Sequence, residues 1–314
     1  MIMNKEIKKS KKILVTHNGS FQSDDIFAAA AISILLEKAG EPYEIIRTRD
    51  PEIIKTGDYV FDVGGIHDEA TNRFDHHQIG GAGRGLDNIE YAAFGLVWKK
   101  FGPELAGGEK EAELINKRLA CPIDAWDNGF DLVENKYDVT PYYIQHFFIS
   151  MVPTWKEAEQ GQLTNDEMFL RSVEVAKQVL SREIIHAQDA LLAEERVVSI
   201  YNSTQDKRII ILDKNYPYEY ALNNFPEPLF VIYPRLADNL WGVKAVRENP
   251  KTFNNRKDFP KAWAGLQDEE LQKVSGVSDA VFCHRALFMV VAKSRAGAIQ
   301  LAELALENNL KPSA

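Results

Sequence analysis

The sequence predicts an α/β protein in which a parallel-sheet domain is joined by a long helix to a second, smaller α/β domain. Three observations lead to this fold class. Strand-like and helix-like runs alternate over the first part of the chain, which is typical of parallel sheets. A continuous helical pattern covers residues 164–195, and short strand-like runs follow it. The length of 314 residues also favours two domains over one.

The first domain is predicted over residues 13–163, after a basic arm of residues 1–12. It opens with a strand at 13–16, followed by an alanine- and leucine-rich helix at 24–40 that ends at a glycine. Further strand and helix patterns alternate along the domain. The strands are predicted at 43–49 and 59–65, and the helices at 91–102 and 111–129.

The connecting helix is predicted over residues 164–195, with Thr164 or Asn165 as its N-terminal cap. Residues 196–314 then form the C-terminal substrate-binding domain. Its strand-like runs are "RVVSIY", "RIIILD", "PLFVIYPR" and "WGVKAVR". The closing run "AGAIQLAELALE" predicts a final helix.

Composition restricts the functional classes. A net charge of -9 and a pI near 5.4 exclude attraction of nucleic acid by the whole surface, although a local basic groove remains compatible with them. Cys121 and Cys283 are far apart in sequence, which predicts buried thiols in a reducing compartment. No segment has the roughly 18 uninterrupted apolar residues of a membrane span. We therefore expect a cytoplasmic protein with no membrane partner.

Metal-ligand side chains follow the predicted strands. In a parallel sheet the carboxyl ends of the strands meet at one edge, where ligands bind. The stretch "THNGSFQSDD" (16–25) follows the first strand, and "YVFDVGG", "FDHHQ" and "DAWDNG" supply more acids and histidines. The group comprises His17, Gln22, Asp24, Asp62, Asp75, His76, His77, Asp124 and Asp127. Carboxylates and imidazoles together suit divalent metals such as manganese, and one carboxylate can bridge two ions.

Each of these residues also has an ordinary structural explanation. Asp24 and Asp25 stand where a helix begins, and the helix dipole favours acids there. Asp62 and Asp127 precede glycines in turn-like contexts. Collecting so many acids beside a histidine pair in one cleft is costly without a cation. The group as a whole therefore predicts a metal site.

The motifs, in this order, resemble the melanocyte-proliferating-gene exonuclease family, a branch of the DHH phosphoesterase superfamily. The similarity continues into "FPKAWAGLQDEELQKVSGVSDAVFCHRALF" (259–288) and so covers about residues 13–305. The resemblance implies a DHH-phosphoesterase-like, metal-binding first domain with two manganese ions, or Mg²⁺ in their place. It also implies 3′-to-5′ exoribonuclease activity, as in the eukaryotic members.

The resemblance also implies roles for individual residues. The first ion would be held by His17, the position of Gln22 and Asp62. The second would be held by Asp24, the bridging Asp62, His76 and Asp127. The catalytic group would be Asp75, His76 and His77, with Asp75 orienting the histidines and His77 facing the substrate phosphate.

Two features depart from the family pattern. The family has histidine at Gln22, and an amide binds manganese more weakly than imidazole. In the second domain, Leu287, Val290 and Val291 replace glycines that would let the backbone approach a phosphate. The remaining candidate substrate contacts are His77, His284, Arg285, Lys293 and Arg295.

Three functions are compatible with these residues. The first is a metal-dependent phosphodiesterase, a 3′-to-5′ exoribonuclease acting on single-stranded RNA or short oligonucleotides. The second keeps the same site for a small nucleotide or pyrophosphate. The third is a catalytically weakened family member that binds nucleotide or RNA, which the changes at Gln22, Val290 and Val291 favour. The oligomeric state is left open, with a homodimer as one option.

Overall fold

The computed structural model describes residues 10–249 and 252–308, and the chain divides into two compact units. Unit 1 is Met1–Gln188 and unit 2 is Asp189–Ala314. Most of the predicted basic arm, residues 1–9, lies outside the described residues. Within the described ranges, no helix combines the length and the apolar character needed to cross a membrane.

Unit 1 is built on a five-stranded sheet in the order β2-β1-β3-β5-β4. Its strands are β1 (Lys12–Thr16), β2 (Tyr43–Arg47), β3 (Tyr59–Phe61), β4 (His67–Asp68) and β5 (Arg73–Phe74). Strand β1 pairs in parallel with β2 and β3, and β3 pairs in parallel with β5, whereas β4 is antiparallel to β5. The predicted parallel sheet is confirmed, and the carboxyl ends of β1, β3 and β5 lie at the same edge.

The helices of unit 1 pack around this sheet. They are α1 (Ser23–Lys38), α2 (Pro51–Thr56), α3 (Ala93–Ala106), α4 (Glu109–Ile115), α5 (Cys121–Asp127), α6 (Ile144–Ile149) and α7 (Trp155–Glu159). A π-helical segment, Asn116–Ala120, joins α4 to α5. Four consecutive alanines of α1, residues 28–31, are fully buried, so the small side chains let α1 lie deep in the core with α3. This depth holds the start of α1 at the carboxyl edge of the sheet.

The long helix α8 (Asn165–Ser203) continues past the end predicted from the sequence. The run "RVVSIY", expected to be a strand, is helical. Its β-branched residues resemble a strand, and so short an apolar run does not distinguish the two structures. Val197 and Tyr201, one helical turn apart, are buried in one cluster with Ile210 and Val231 of unit 2. Tertiary packing of this helical face therefore overrides the local preference.

Unit 2 contains a five-stranded mixed sheet in the order β6-β7-β8-β10-β9. Its strands are β6 (Ile209–Ile211), β7 (Phe230–Arg235), β8 (Leu240–Ala245), β9 (Ala280–Cys283) and β10 (Met289–Ala292). Only β6 and β7 pair in parallel. Its helices are α9 (Glu219–Asn223), α10 (Asp268–Ser275) and α11 (Arg295–Glu307). The other predicted strands and the closing helix are all present.

Several residues that the sequence singled out are part of the interior. Cys121 and Cys283 are free and buried, as expected. Val290 and Val291 of β10 are also buried, with 0% and 2% of their surfaces exposed. Their side chains fill the interior of unit 2 and do not project into solvent. An effect of these valines on phosphate binding stays a prediction.

Candidate metal centre

The end of strand β3 places Asp62 at the middle of the carboxyl edge. Asp62 directly follows β3 and adopts a left-handed backbone conformation with φ of 53°. Gly64 and Gly65 continue the turn with φ values of 99° and 69°. A left-handed conformation costs most residues about 1–2 kcal/mol, and aspartate is one of the few that adopts it with local help. Asp62 is 6% exposed, and its carboxylate lies in the interior beside His17 and His76.

The strand ends and helix ends assemble three groups of candidate metal ligands. Within each group the ligand atoms lie within 4.8 Å of one another. The groups are His17, Asp25 and Asp62; Asp24, His76 and Asp127; and Asp62, His76 and His77. Asp62 belongs to two groups and His76 to two. The arrangement can therefore hold neighbouring cations that share a carboxylate.

His17 lies between two carboxylates. Its Nε2 is 3.0 Å from Asp62 Oδ2 and 3.3 Å from Asp25 Oδ2. Burial alone would lower the pKa of His17, but hydrogen bonds to Asp25 and Asp62 raise it to about 10. Burial raises the pKa of Asp62, yet His17 and His76 outweigh it and hold this pKa below its usual value. Without metal, a proton on His17 joins these two acids.

Asp25 is a candidate metal ligand that the sequence did not single out, because its position at a helix start already explained it. Its Oδ1 accepts a hydrogen bond of 2.9 Å from the backbone N–H of Gln22, as in a helix capping box. Its Oδ2 faces His17. Gln22, the predicted ligand, is the exposed N-cap residue of α1 and lines the cleft. A carboxylate that caps a helix uses only one of its two oxygens, and the other can bind a metal. This property could have identified Asp25 as a candidate ligand from the sequence.

The second group contains buried atoms that have no hydrogen-bond partner. Asp24 is 1% exposed, and within the described residues neither of its carboxylate oxygens is hydrogen-bonded. Burial and then the charges of Asp62, Asp127 and Asp25 raise the pKa of Asp24 well above its usual value. Burial also raises the pKa of Asp127 to about 6, although His76 opposes it. His76 Nε2 lies 3.2 Å from Asp127 Oδ2 and 3.4 Å from Asp62 Oδ1.

Asp75 fixes the loop that carries both histidines. Its Oδ1 accepts from the backbone N–H groups of His76 and His77 at 2.8 and 3.1 Å, and its Oδ2 accepts from the N–H of Gly65. The same Oδ1 lies 2.7 Å from Nδ1 of His77. The contact with His76 is thus to its backbone, and the ring that Asp75 orients is that of His77. That ring is 62% exposed and faces the cleft.

Asp124 is separate from the three ligand groups. Its Oδ1 accepts a hydrogen bond of 3.0 Å from the N–H of Gly95, in the first turn of α3. A Cβ at Gly95 would lie 1.8 Å from Asp124 Oδ2, so only glycine allows this contact. Asp124 therefore has a structural role, because it ties α5 to the start of α3 and so supports Asp127.

The ligand groups border an open cleft in unit 1 with a volume of about 700 Å³. Its wall includes Arg49, an exposed residue just after β2 that the sequence reasoning passed over. Its only sequence signal is its position after a strand of the parallel sheet. A guanidinium here can pair with a phosphate oxygen, because it offers several fixed N–H donors.

The predicted substrate contacts of unit 2 lie at two places. His284 is in the turn between β9 and β10, where its Nδ1 accepts from the N–H of Ala286 at 3.1 Å, and Arg285 beside it is exposed. Lys293 and Arg295 are exposed at the start of α11. A role for these four residues in substrate binding stays a prediction.

Comparison with known proteins assigns the family. The sequence profile of the MYG1 exonuclease family, described as "Uncharacterised protein family (UPF0160)", matches residues 13–306. The chain belongs to this family. It is 28% identical to the MYG1 exonuclease of Homo sapiens over 325 residues, which cover 93% of this chain and 85% of that protein. It is 27% identical to the MYG1 protein of Chlamydia muridarum over 302 residues, covering 93% and 96%.

Membership of the MYG1 exonuclease family confirms the resemblance inferred from the motifs. Among solved structures, RecJ from Thermus thermophilus in complex with Mn²⁺ has a TM-score of 0.28 at 11% identity, covering 95% of this chain and 52% of that chain. An exopolyphosphatase-related protein from Bacteroides fragilis has a TM-score of 0.25 at 12% identity, covering 95% and 92%. Overlaps this low add nothing to the fold described above.

Proposed function

We propose that this protein hydrolyses the phosphodiester bonds of single-stranded RNA or short oligonucleotides from the 3′ end, at a centre of two divalent cations. Mn²⁺ is the proposed metal, with Mg²⁺ as the alternative. The observation that carries the proposal is the position of Asp62. Its carboxylate lies in one ligand group with His17 and Asp25, and 3.4 Å from Nε2 of His76, which belongs to the group with Asp24 and Asp127. A carboxylate shared in this way is suited to bridging two ions.

The donor set fits such cations. Both carboxylate oxygens of Asp24 are buried without a hydrogen-bond partner among the described residues. Asp25 Oδ2, Asp62 Oδ1 and His76 Nε2 meet only ionisable groups of the same cluster, at 3.2–3.5 Å. Leaving buried polar atoms unpaired is costly, and a divalent cation satisfies them. Mixed carboxylate and imidazole donors suit Mn²⁺. When bound, the cations would neutralise phosphate oxygens and lower the pKa of a water molecule.

The proposed ligands divide between two positions. His17, Asp25 and Asp62 would hold one cation. Asp24, Asp62, His76 and Asp127 would hold the other. Asp25 thus takes the place expected for Gln22, because its Oδ2 lies against His17 whereas Gln22 is exposed.

His77 and Arg49 are proposed to bind the substrate phosphate. Asp75 accepts from Nδ1 of His77, which turns the other edge of the exposed ring towards the cleft. Asp75 also accepts from the backbone N–H groups of His76 and His77, which limits the movement of the backbone that carries this ring. Arg49, on the wall of the same cleft, supplies a cationic contact that needs no metal.

The test uses single-stranded RNA labelled at its 5′ end, with Mn²⁺, with Mg²⁺ and with EDTA. Cleavage from the 3′ end should give a ladder that shortens with time, and the cations should be required. Asp62→Asn should lower the rate by at least about 100-fold, because it removes charge from both cation positions. Glu104→Gln, at an exposed acid of unit 1, is the matched control and should leave the rate unchanged.

Other outcomes would change the assignment. Cleavage of dinucleotides or pyrophosphate without cleavage of longer RNA would favour the small-substrate function. Full metal occupancy without turnover of any of these substrates would contradict the proposal and leave a binding protein. We also place the protein in the cytoplasm, since free, buried Cys121 and Cys283 suit a reducing compartment.

A further inference from the structure

Unit 2 contains a cavity of its own, with a volume of about 330 Å³, on the side of the sheet where α9 packs. This volume lies at the lower end of the range for small-molecule sites, about 300–1,000 Å³. Lys244 and Arg247 bring positive charge to it, and Glu219 brings one carboxylate. Phe253 and Phe288 add aromatic surface. These residues differ from the substrate contacts that the sequence predicted.

Lys244 occupies a position at which an apolar residue would be expected. It lies in the central strand β8, paired with Val231 of β7 and Met289 of β10. Its neighbours on the same sheet face, Val231 and Val246, are buried in the core. Lys244 itself is half-buried. A lysine in such a position costs free energy, because its ammonium group is partly removed from water.

The Lys244 ammonium forms no salt bridge with an acid among the described residues. Its Nζ lies 5.5 Å from the centroid of the Tyr233 ring, which attracts a cation only weakly. Among the described residues, the other charges on the cavity wall come from Arg247 and Glu219. The cavity therefore presents a half-buried positive charge that an anionic ligand would satisfy.

The rest of the cavity wall suits a planar ring attached to that anion. The guanidinium carbon of Arg247 lies 4.9 Å from the centroid of Phe253, and the Phe253 side chain is largely exposed. Asn223 and Asn255 contribute amide groups, which can bond the edge of a base. Cations beside exposed aromatic rings are the combination with which proteins bind nucleotides, through phosphate contacts and stacking.

We propose that this cavity binds a ribonucleoside monophosphate, with its phosphate at Lys244 and Arg247 and its base against Phe253 and Phe288. Glu219 would accept a hydrogen bond from a ribose hydroxyl or a base amino group. The choice of a ribonucleotide rests on the proposed RNA hydrolysis, of which a nucleoside monophosphate is the product. The inference that the ligand is an anion joined to a planar ring does not depend on the proposed RNA hydrolysis.

The test is calorimetric titration of the full chain in EDTA with AMP, UMP, adenosine and inorganic phosphate. EDTA keeps cations from the centre in unit 1, so binding there through a metal does not contribute. AMP and UMP should bind, whereas adenosine and phosphate should each bind at least about tenfold more weakly because each makes only part of the contacts. Phosphate binding as tight as AMP binding would overturn the inference, because the site would then recognise only an anion.

Lys244→Met is the decisive variant. Methionine is similar in length and apolar, and its partners in the sheet are Val231 and Met289, so the variant should fold and melt no lower than the wild type. Its affinity for AMP should fall at least about tenfold, which corresponds to loss of the phosphate contact. Lys273→Met, at an exposed lysine of α10, is the matched control and should bind AMP as the wild type does.

A second assay separates this inference from the proposed function. Hydrolysis of bis(p-nitrophenyl) phosphate with Mn²⁺ reports on the metal centre, so Lys244→Met should keep it. Asp62→Asn should lose this hydrolysis but bind AMP normally in EDTA. Loss of AMP binding in Asp62→Asn with retention in Lys244→Met would refute the second site. AMP binding that depends on Lys244, in a protein without any hydrolytic activity, would refute the proposed function and support the site.

Discussion

Replacing Asp24 with asparagine should stabilise the metal-free protein, although it removes a proposed metal ligand. Asp24 is almost fully buried, neither of its oxygens has a hydrogen-bond partner among the described residues, and three further carboxylates act on it electrostatically. An unsatisfied buried polar group costs about 1–3 kcal/mol, and more when it is charged. Asparagine has nearly the same shape and no charge. We therefore expect Asp24→Asn to raise the free energy of unfolding by about 1–3 kcal/mol in EDTA.

The size of this gain should depend on pH. Burial, followed by the charges of Asp62, Asp127 and Asp25, raises the pKa of Asp24, so the folded protein holds this proton more tightly than the unfolded chain. The protonated Asp24 therefore contributes to the free energy of unfolding in full below the pKa of Asp24 in the unfolded chain, which is about 4. This contribution is lost as the pH rises towards the higher pKa of Asp24 in the folded protein. The advantage of Asp24→Asn should be small near pH 4 and larger at pH 7 to 8.

Thermal unfolding followed by circular dichroism measures both effects. In EDTA at pH 7.5 the variant should melt higher than the wild type, by about 2–4 °C per kcal/mol for a unit of this size. Added Mn²⁺ should raise the melting temperature of the wild type by linkage and that of Asp24→Asn much less. Glu104→Gln is the control for a carboxylate-to-amide change at an exposed site. A lower melting temperature for Asp24→Asn in EDTA, or an unchanged response to Mn²⁺, would contradict the described environment of Asp24.

Three further predictions concern the same cleft. Gln22→His should leave Mn²⁺ affinity at limiting metal unchanged, because Asp25 already completes the ligand group with His17 and Asp62; tighter binding by calorimetry would mean that an imidazole at position 22 reaches the cation and would contradict this ligand set. Arg49→Ala should lower kcat/KM on RNA by about 10- to 100-fold through loss of a phosphate contact, and Arg49→Lys should recover only part of the lost kcat/KM. If Arg49→Ala is as active as the wild type, Arg49 does not bind the substrate. Mn²⁺ binding at pH 8 should release about one proton, because the pKa of His17 is raised to about 10 and a histidine must be neutral to bind a metal. Calorimetric titrations in buffers of different ionisation enthalpy measure this release. If no proton is released, His17 is not a metal ligand.

Much of unit 1 was determined by local sequence patterns. Strand β1, helix α1 and the helices predicted at 91–102 and 111–129 each carry a local pattern of apolar residues, and α1 also has acids at its start. Because the carboxyl ends of parallel strands meet at one edge, the pattern also predicted that His17, Asp62 and His76 would meet. These residues do lie together, in overlapping ligand groups.

The sequence alone did not determine which acid at the start of α1 faces His17. Asp24 and Asp25 are adjacent and chemically identical, and the local pattern explains both as helix-start acids. Which groups their oxygens meet depends on how α1 is rotated against β1 and β3, and that rotation is set by the packing of its buried alanines. The structure therefore adds Asp25 to the site beside the exposed Gln22.

Tertiary structure also decided the features that depend on distant neighbours. The run "RVVSIY" is helical because Val197 and Tyr201 pack in the core of unit 2, a contact that its own letters do not encode. Nothing in the local sequence distinguishes Lys244 from an exposed lysine. Its half-buried position follows from the pairing of β8 with β7 and β10, which places Lys244 between Val231 and Met289. Local patterns determine where strands and helices form, whereas the burial and pairing of a single charge depend on residues far along the chain.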